Sequence, residues 1–331
     1  MAANPKSPMG PVPSKEPFHL YHAEAHILSG EFDHPIKQPI EKYGHVVLEN
    51  TRRESLYTES LGQTNVQGLI SFQSGHTRVA GTFVKNKQDI FGNDHAGWVT
   101  LSTAVLEGFN VLDIITADRV VAQVSTEHAY NNGKDPAHVP AVSFLGSRFE
   151  NLRIGGYPVE VELDLGICGK KPERDRPYLQ DGGFLGRVKD QLDDVRDAKD
   201  LPEGLAKKCR AEIAYIDDLK KQANGDAKGQ RNGYSKLRCS LVKSIGRIPI
   251  PGVKTFGNLI FIPNFGTVAL AEVVVGVGPG HGDASSPAPV GSSSPSDSNY
   301  FTLEMFEMKL GCPIGAGVNG GGVSSNGNTR P

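Results

Sequence analysis

The sequence predicts a mainly β protein: an antiparallel β-sandwich or jelly-roll-like domain with an inserted α-helical hairpin. Two segments have the pattern of strand, turn and strand, one around Gly155-Gly156 and the other around residues 263–266. Glycine, at 39 residues, and proline, at 22, are frequent, as in folds made of many short strands and turns. Between the two hairpins, apolar residues recur every third or fourth position, which is typical of helices.

Candidate strands follow one another at short spacing before the helices. They cover residues 18–29, 46–49, 66–72, 77–84, 98–107, 109–115, 119–127 and 142–154. In the return strand of the first hairpin, 157–165, valine and leucine alternate with glutamate and aspartate. Such alternation indicates an antiparallel sheet with one face buried and the other in water.

The segment 170–239 is predicted to be a charged helical insertion. Residues 170–232 contain 15 basic and 13 acidic residues among 63. Two apolar stripes run through this segment, and Pro202 stands where a first helical turn tolerates proline. Because neither the hairpin after the helices nor the lone last strand could stand alone, 17–169 and 240–312 are expected to share one β-sandwich domain. The insertion is either a solvated cover or an arm that binds a partner.

Three polar stretches are predicted to lack fixed structure. They are an N-terminal arm over 1–16, a mobile Gly/Pro/Ser loop over 276–299 and a flexible C-terminal tail over 313–331. Between the loop and the tail, the last predicted strand has apolar residues on both faces. These are Tyr300, Phe301, Met305, Phe306 and Met308. Such a strand is either an ordinary core strand or one that another chain covers or exchanges.

Composition excludes several classes of function. The formal net charge of −2 predicts no nucleic-acid binding, which needs a basic surface. No stretch approaches the ~18 consecutive apolar residues of a membrane-spanning helix. Four cysteines without a C-x-x-C pair exclude a zinc ribbon and leave idle thiols or two disulfides. The first residues do not form a signal peptide, so a cytoplasmic location is the default expectation.

The second half resembles a family of secreted bacterial β domains, the choice-of-anchor P family. The similar segments are 115–122, 146–159, 266–272 and 301–310. The resemblance implies an extracellular, non-catalytic module with no established catalytic residues. The missing signal peptide and the helical insertion depart from that family's pattern. The first half looks like uncharacterised bacterial proteins.

One constellation of side chains could hold a metal. His22, Glu24 and His26 alternate along the first predicted strand, so they point to the same face. Two imidazoles and a carboxylate are a suitable ligand set for a divalent transition metal such as zinc, iron or manganese. The alternative is a solvated strand face, because the intervening residues supply an apolar face on the other side.

We therefore expect a non-enzymatic structural or binding protein. It would form homo-oligomers or bind another protein through its last strand and its arms. No Gly-x-Ser-x-Gly elbow occurs, and the glycine-rich segment 276–282 lacks the Lys-Ser/Thr and the helix of a phosphate loop. No catalytic or cofactor-binding residue is predicted. The alternative function is a metal-binding protein or metal-dependent enzyme built on His22, Glu24 and His26.

Overall fold

The structure is a computed structural model that confirms the predicted fold class. It describes residues 18–32, 37–50, 54–88, 94–130, 139–173, 176–223, 235–277, 299–310 and 316–330. The protein is mainly β, with antiparallel sheets and two α-helices in these residues. The predicted arm 1–16, most of the predicted loop 276–299 and Cys312 lie outside the described residues.

The strands are numbered in chain order. They are β1 (Phe18–Phe32), β2 (Gln38–Tyr43), β3 (Val46–Asn50), β4 (Glu54–Leu61), β5 (Thr64–Val66), β6 (Ile70–Phe72), β7 (Ser74–Gln88), β8 (Asp94–Val111), β9 (Ile115–Tyr130), β10 (Ala141–Ser143), β11 (Arg148–Glu150), β12 (Arg153–Ile154), β13 (Tyr157–Pro158), β14 (Val161–Leu163), β15 (Ser235–Ser240), β16 (Val242–Ile245), β17 (Lys254–Phe256), β18 (Leu259–Ile262), β19 (Gly266–Val277), β20 (Asn299–Leu310) and β21 (Ala316–Arg330). The helices are α1 (Gly182–Arg196) and α2 (Glu203–Ala223).

Two large sheets and one small sheet contain these strands. The first sheet has nine strands in the order β17-β18-β19-β20-β21-β1-β2, with β15 also paired to β19 and β3 to β1. The second sheet has ten strands and contains the run β4-β7-β8-β9, in which β4 is at the edge, with β10, β11 and β12 along β9. The small sheet pairs β14 with β16.

The inner faces of the two large sheets form one core. Phe109 of β8 stacks on Phe306 of β20 with ring centroids 5.0 Å apart. Polar bonds also join the sheets, since the hydroxyl oxygens of Thr126 and Ser325 lie 2.7 Å apart. Strands from before and after the helices therefore enclose a shared apolar interior.

The two helices pack against each other and against the first sheet. Asp181 caps α1 by accepting a hydrogen bond from the backbone N–H of Phe184 at 2.7 Å. Tyr178, just before α1, packs edge-on against Phe184 of α1 and Phe301 of β20, which ties the helix to the sheet. The helices lie inside the predicted insertion 170–239, but its C-terminal boundary is wrong. Residues 235–240 are β15, which is hydrogen-bonded to β19.

The C-terminal segment departs most from the predicted architecture. The tail predicted as flexible over 313–331 contains β21, which lies between β1 and β20 inside the first sheet. The prediction was wrong because it took a lack of apolar side chains as a lack of structure. A glycine-rich strand fits here because its neighbours fill the space above it. A Cβ on Gly320 would already contact Leu28 and Phe306.

β20 is an ordinary core strand with both edges paired, to β19 and to β21. In a strictly alternating strand, its apolar residues would fall on both faces. The buried ones all face the core here because the alternation is interrupted once, between Met305 and Phe306. Phe301 and Met305 are buried before the break, and Phe306 and Met308 are buried after it. The strand that we expected to contact a partner is therefore covered by the chain itself.

The interruption in β20 lies beside similar interruptions in three other strands of the first sheet, β1, β21 and β19. Regular pairing skips Ile27 in β1, Gly321 in β21, Met305 in β20 and Ala271 in β19. Gly321 and Ala271 have positive φ angles of 66° and 46°. Because both strands of each pair skip one residue at these positions, the four strands change their inward-facing set of residues together.

Candidate functional site

β1 places His22, Glu24 and His26 on the outer face of the first sheet, as the alternation predicts. The opposite face carries Tyr21 and Ala23, which are fully buried in the core. Glu24 and His26 are not solvated, however: only 9 % and 7 % of their surfaces are exposed. Side chains from neighbouring strands cover them, and these neighbours define the chemistry of this face.

Glu24 is held by two neighbouring side chains. Lys42 Nζ donates to Glu24 Oε1 at 2.8 Å, and His45 Nε2 lies 2.8 Å from the same oxygen. Burial opposes ionisation of this carboxyl, but the Lys42 hydrogen bond and the charges of Lys42, His45 and His26 outweigh it and lower the pKa of Glu24. Glu24 is therefore a carboxylate with two partners on the same face.

His26 instead faces Glu304, which projects from β20. Both side chains lie over Gly322 of β21, where a Cβ would overlap the His26 ring. His26 Nε2 is 3.7 Å from Glu304 Oε2 and 3.2 Å from Ser29 Oγ. Burial, followed by the charges of Glu24 and Glu307, raises the pKa of Glu304 to about 8. Glu304 therefore holds a proton at neutral pH.

These contacts do not bring the predicted ligands together around a metal. Glu24 turns to Lys42 and His45, whereas His26 turns to Glu304. Within the described ranges, no group of three or more His, Cys, Asp or Glu side chains is arranged to hold a metal ion. This geometry therefore gives no support to the predicted metal site at His22, Glu24 and His26. Sequence reasoning missed Glu304 because β20 lies far from β1 in the chain and strand order was unreadable.

A second histidine cluster lies inside the sandwich. His19 stacks on Trp98 with ring centroids 5.4 Å apart, and its centroid is 4.7 Å from that of His128. His19 and His128 are buried between the sheets. Burial lowers the pKa of His19 to about 3, so its imidazole is neutral in the folded protein. These histidines contribute to packing at this end of the core.

The described cysteines are also core residues. Cys168, Cys209 and Cys239 are buried free thiols. Burial raises the pKa of Cys168 to about 12, which keeps this thiol protonated and unreactive. The interpretation as idle thiols therefore holds for these three.

The second sheet ends in a long edge strand, β4, which also contacts β3 of the first sheet through a hydrogen bond from Ser55 Oγ to Asn50 Oδ1. Among the described strands, β4 pairs only with β7, through eight consecutive pairs without a register shift. Leu56 and Tyr57 of β4 are 57 % and 44 % exposed. Because adjacent strand residues point to opposite faces, β4 presents an apolar side chain on each face. Its free edge also presents backbone donors and acceptors.

Several other edge strands carry features that hinder pairing with another chain. Proline occurs in β2 and β13, and lysine or arginine occurs in β11, β15 and β17. These five strands have two to six residues. β4 has eight residues and contains no lysine, arginine or proline. Sequence reasoning missed this strand because its polar sequence lacks a clear apolar alternation.

Comparison with known proteins places the chain in a family. Residues 19–276 match the family model described as a domain of unknown function, DUF8256. The chain belongs to the DUF8256 family. No curated protein and no solved structure matches it. This match does not link the chain to the choice-of-anchor P family, so the resemblance to that family stays a prediction. Charged residues recur along both described helices, and neither has an apolar stretch that would span a bilayer.

Proposed function

We propose that this protein is a non-enzymatic assembly protein that associates with a second copy of itself through the free edge of β4. One observation carries the proposal: β4 is an eight-residue edge strand without a bulge, without a cationic residue and with apolar residues exposed on both faces. Edges of this kind recruit another strand by main-chain hydrogen bonding. The proposal moves the contact surface from β20, which is covered, to β4.

A second copy of the chain is a suitable partner because β4 can pair with β4 of another copy without placing like charges opposite each other. Antiparallel pairing about a twofold axis between Tyr57 and Thr58 sets Glu54 opposite Leu61 and Glu59 opposite Leu56. No two glutamates then face each other, so the pairing avoids like charges at directly opposed positions. A twofold contact of this type is self-complementary and joins two second sheets into one continuous sheet.

The test is the mass of the full chain in solution by light scattering after size exclusion. We expect the unmodified protein to have twice the monomer mass. The double variant Tyr57→Glu and Thr58→Glu should be a monomer, because four carboxylates on each edge would repel in any register.

The matched control is Leu112→Glu plus Leu145→Glu, which adds the same charge at exposed leucines outside β4. The control should remain a dimer, and circular dichroism should show that both variants are folded. A monomeric unmodified protein at high concentration, or a control that dissociates equally, would overturn the proposal.

A further inference from the structure

A concave site lies between residues 170–173 and 176 on one side and the beginning of α1 on the other. Its cavity has a volume of about 500 Å³. Among the described residues, four cationic side chains line it, from Lys170, Lys171, Arg176 and Arg187, together with two acidic ones, from Glu173 and Asp181. This volume is in the range of small-molecule sites, roughly 300–1,000 Å³.

Arg187 is held in a fixed orientation at this cavity. Its Nε donates to the carbonyl of Ile167 and its Nη2 to the carbonyl of Cys168, both at 2.7 Å. The guanidinium packs against Gly169, whose φ is +69° and where a Cβ would overlap it. These contacts orient the planar group before any ligand arrives, which lowers the entropic cost of binding.

The third nitrogen of this guanidinium is directed towards the beginning of the helix. A Cβ on Gly183, in the first turn of α1, would lie 3.5 Å from Arg187 Nη1. Arg187 forms no ion pair in the part of the chain that the structure describes, and its hydrogen bonds go to neutral carbonyl oxygens, although Asp181 Oδ2 also lies beside Gly183.

The remaining charges leave the cavity positive. Lys170 and Arg176 also form no ion pair among the described residues, although the surface of the protein holds many such pairs. Asp181, whose Oδ2 accepts the capping hydrogen bond from Phe184 N, and Glu173 keep their negative charges, but the four cations outnumber them in the described lining. Three cations without a carboxylate partner thus converge on one concave surface.

We propose that this cavity binds a phosphate group, as free phosphate or as the phosphoryl group of a small phosphorylated molecule. A guanidinium suits phosphate because its planar donors match two phosphoryl oxygens. Lys170 and Arg176 would supply the further positive charge that a dianion requires. This site is distinct from the β4 edge and does not depend on self-association.

Isothermal titration of the full chain at low ionic strength tests the proposal, with inorganic phosphate and glycerol 3-phosphate as separate probes. We expect saturable binding of at least one probe at one site per chain. Lys170→Gln plus Arg176→Gln should weaken it at least tenfold, and Arg187→Gln should weaken it further. Preference for one probe identifies the free ion or the ester as the source of the phosphate group.

The matched control is Lys207→Gln plus Arg247→Gln, which removes the same charge at exposed positions outside the cavity. The control should bind as the unmodified protein does. Because Arg187 also bonds the backbone, the Lys170 and Arg176 variant is the decisive one. Absence of saturable binding of both probes, or equal weakening by the control, would overturn the proposal.

Discussion

His26 of β1 and Glu304 of β20 lie 3.7 Å apart, Nε2 to Oε2, on either side of the intervening strand β21. Side chains on strands two positions apart are normally separated by about 10 Å at the backbone. They meet here because Gly322 leaves the space between them empty. A partly buried carboxyl that keeps its proton therefore lies on the same face as Glu24, which is ionised and paired.

The proton on Glu304 predicts a pH dependence of stability. The folded-state pKa of about 8 exceeds the ordinary value of 4.5, so the folded protein binds a proton that the unfolded chain releases within this interval. The stabilisation is complete below pH 4.5 and is lost as the pH rises through 8. Relative to Glu304→Gln, the free energy of unfolding should fall by up to about 1.4 kcal/mol per pH unit.

Urea unfolding of both proteins at a series of pH values across that interval measures this difference. Glu49→Gln, at an exposed position of β3, serves as the control and should follow the unmodified protein. Parallel pH profiles for the unmodified protein and Glu304→Gln would show that Glu304 is not protonated in the fold.

His19 predicts a pH dependence of opposite sign. Its folded-state pKa of about 3 is below the ordinary 6.5, so the unfolded chain binds the extra proton between these values. Stability should therefore fall as the pH drops from 6.5 towards 3. His19→Phe keeps an aromatic ring against Trp98 but cannot bind a proton, so its acid unfolding should begin at lower pH. An unchanged acid midpoint, followed by tryptophan fluorescence, would argue against the buried neutral imidazole.

Gly322→Ala should destabilise the protein by about 1–3 kcal/mol, because the new methyl group would overlap the His26 ring. Gly317→Ala, in the same strand, is the control, since nothing lies within 4 Å of its Cβ position. Adding His26→Ala to Gly322→Ala should recover part of the loss in thermal unfolding experiments. If the two alanine variants unfold at the same temperature, the close approach over Gly322 does not exist.

Removal of residues 313–331 should prevent folding, because it deletes a strand bonded to β1 on one side and to β20 on the other. Circular dichroism and thermal unfolding of the truncated chain measure this. Loss of only residue 331, beyond β21, is the control and should leave the unfolding temperature unchanged. A truncated chain with a native spectrum and a cooperative transition would restore the interpretation of this segment as a tail.

The sequence predicted the elements whose own pattern of apolar, polar and turn-forming residues agrees with their burial in the structure. The turn at Gly155-Gly156 joins β12 to β13, and residues 263–265 separate β18 from β19, as the two hairpin patterns predict. The return strand expected over 157–165 is instead divided into β13 and β14, and β14 pairs with β16 in the small sheet. Both helices follow their apolar stripes. An element with one solvent-exposed face and one apolar face, or a turn that requires glycine, can be predicted from a short stretch of sequence alone.

The elements that the sequence did not predict depend on distant partners. β21 is polar and rich in glycine, and only the large side chains of β1 and β20 make it a central strand. β4 is polar because it lies at an edge. The segment 66–72, expected to be one strand, turns back between β5 and β6 through Gln67 and Gly68 at positive φ. The contact between Glu304 and His26 could be predicted only from the order of the strands in the sheet, and no local sequence pattern gives that order.

Hydrogen exchange of the β4 amides at low and high protein concentration tests the central claim most directly. If two copies pair through this edge, amides within 54–61 should exchange more slowly at high concentration, and Tyr57→Glu plus Thr58→Glu should abolish that protection. Exchange in β4 that does not depend on concentration, or protection that appears only on other strands, would contradict assembly through this edge.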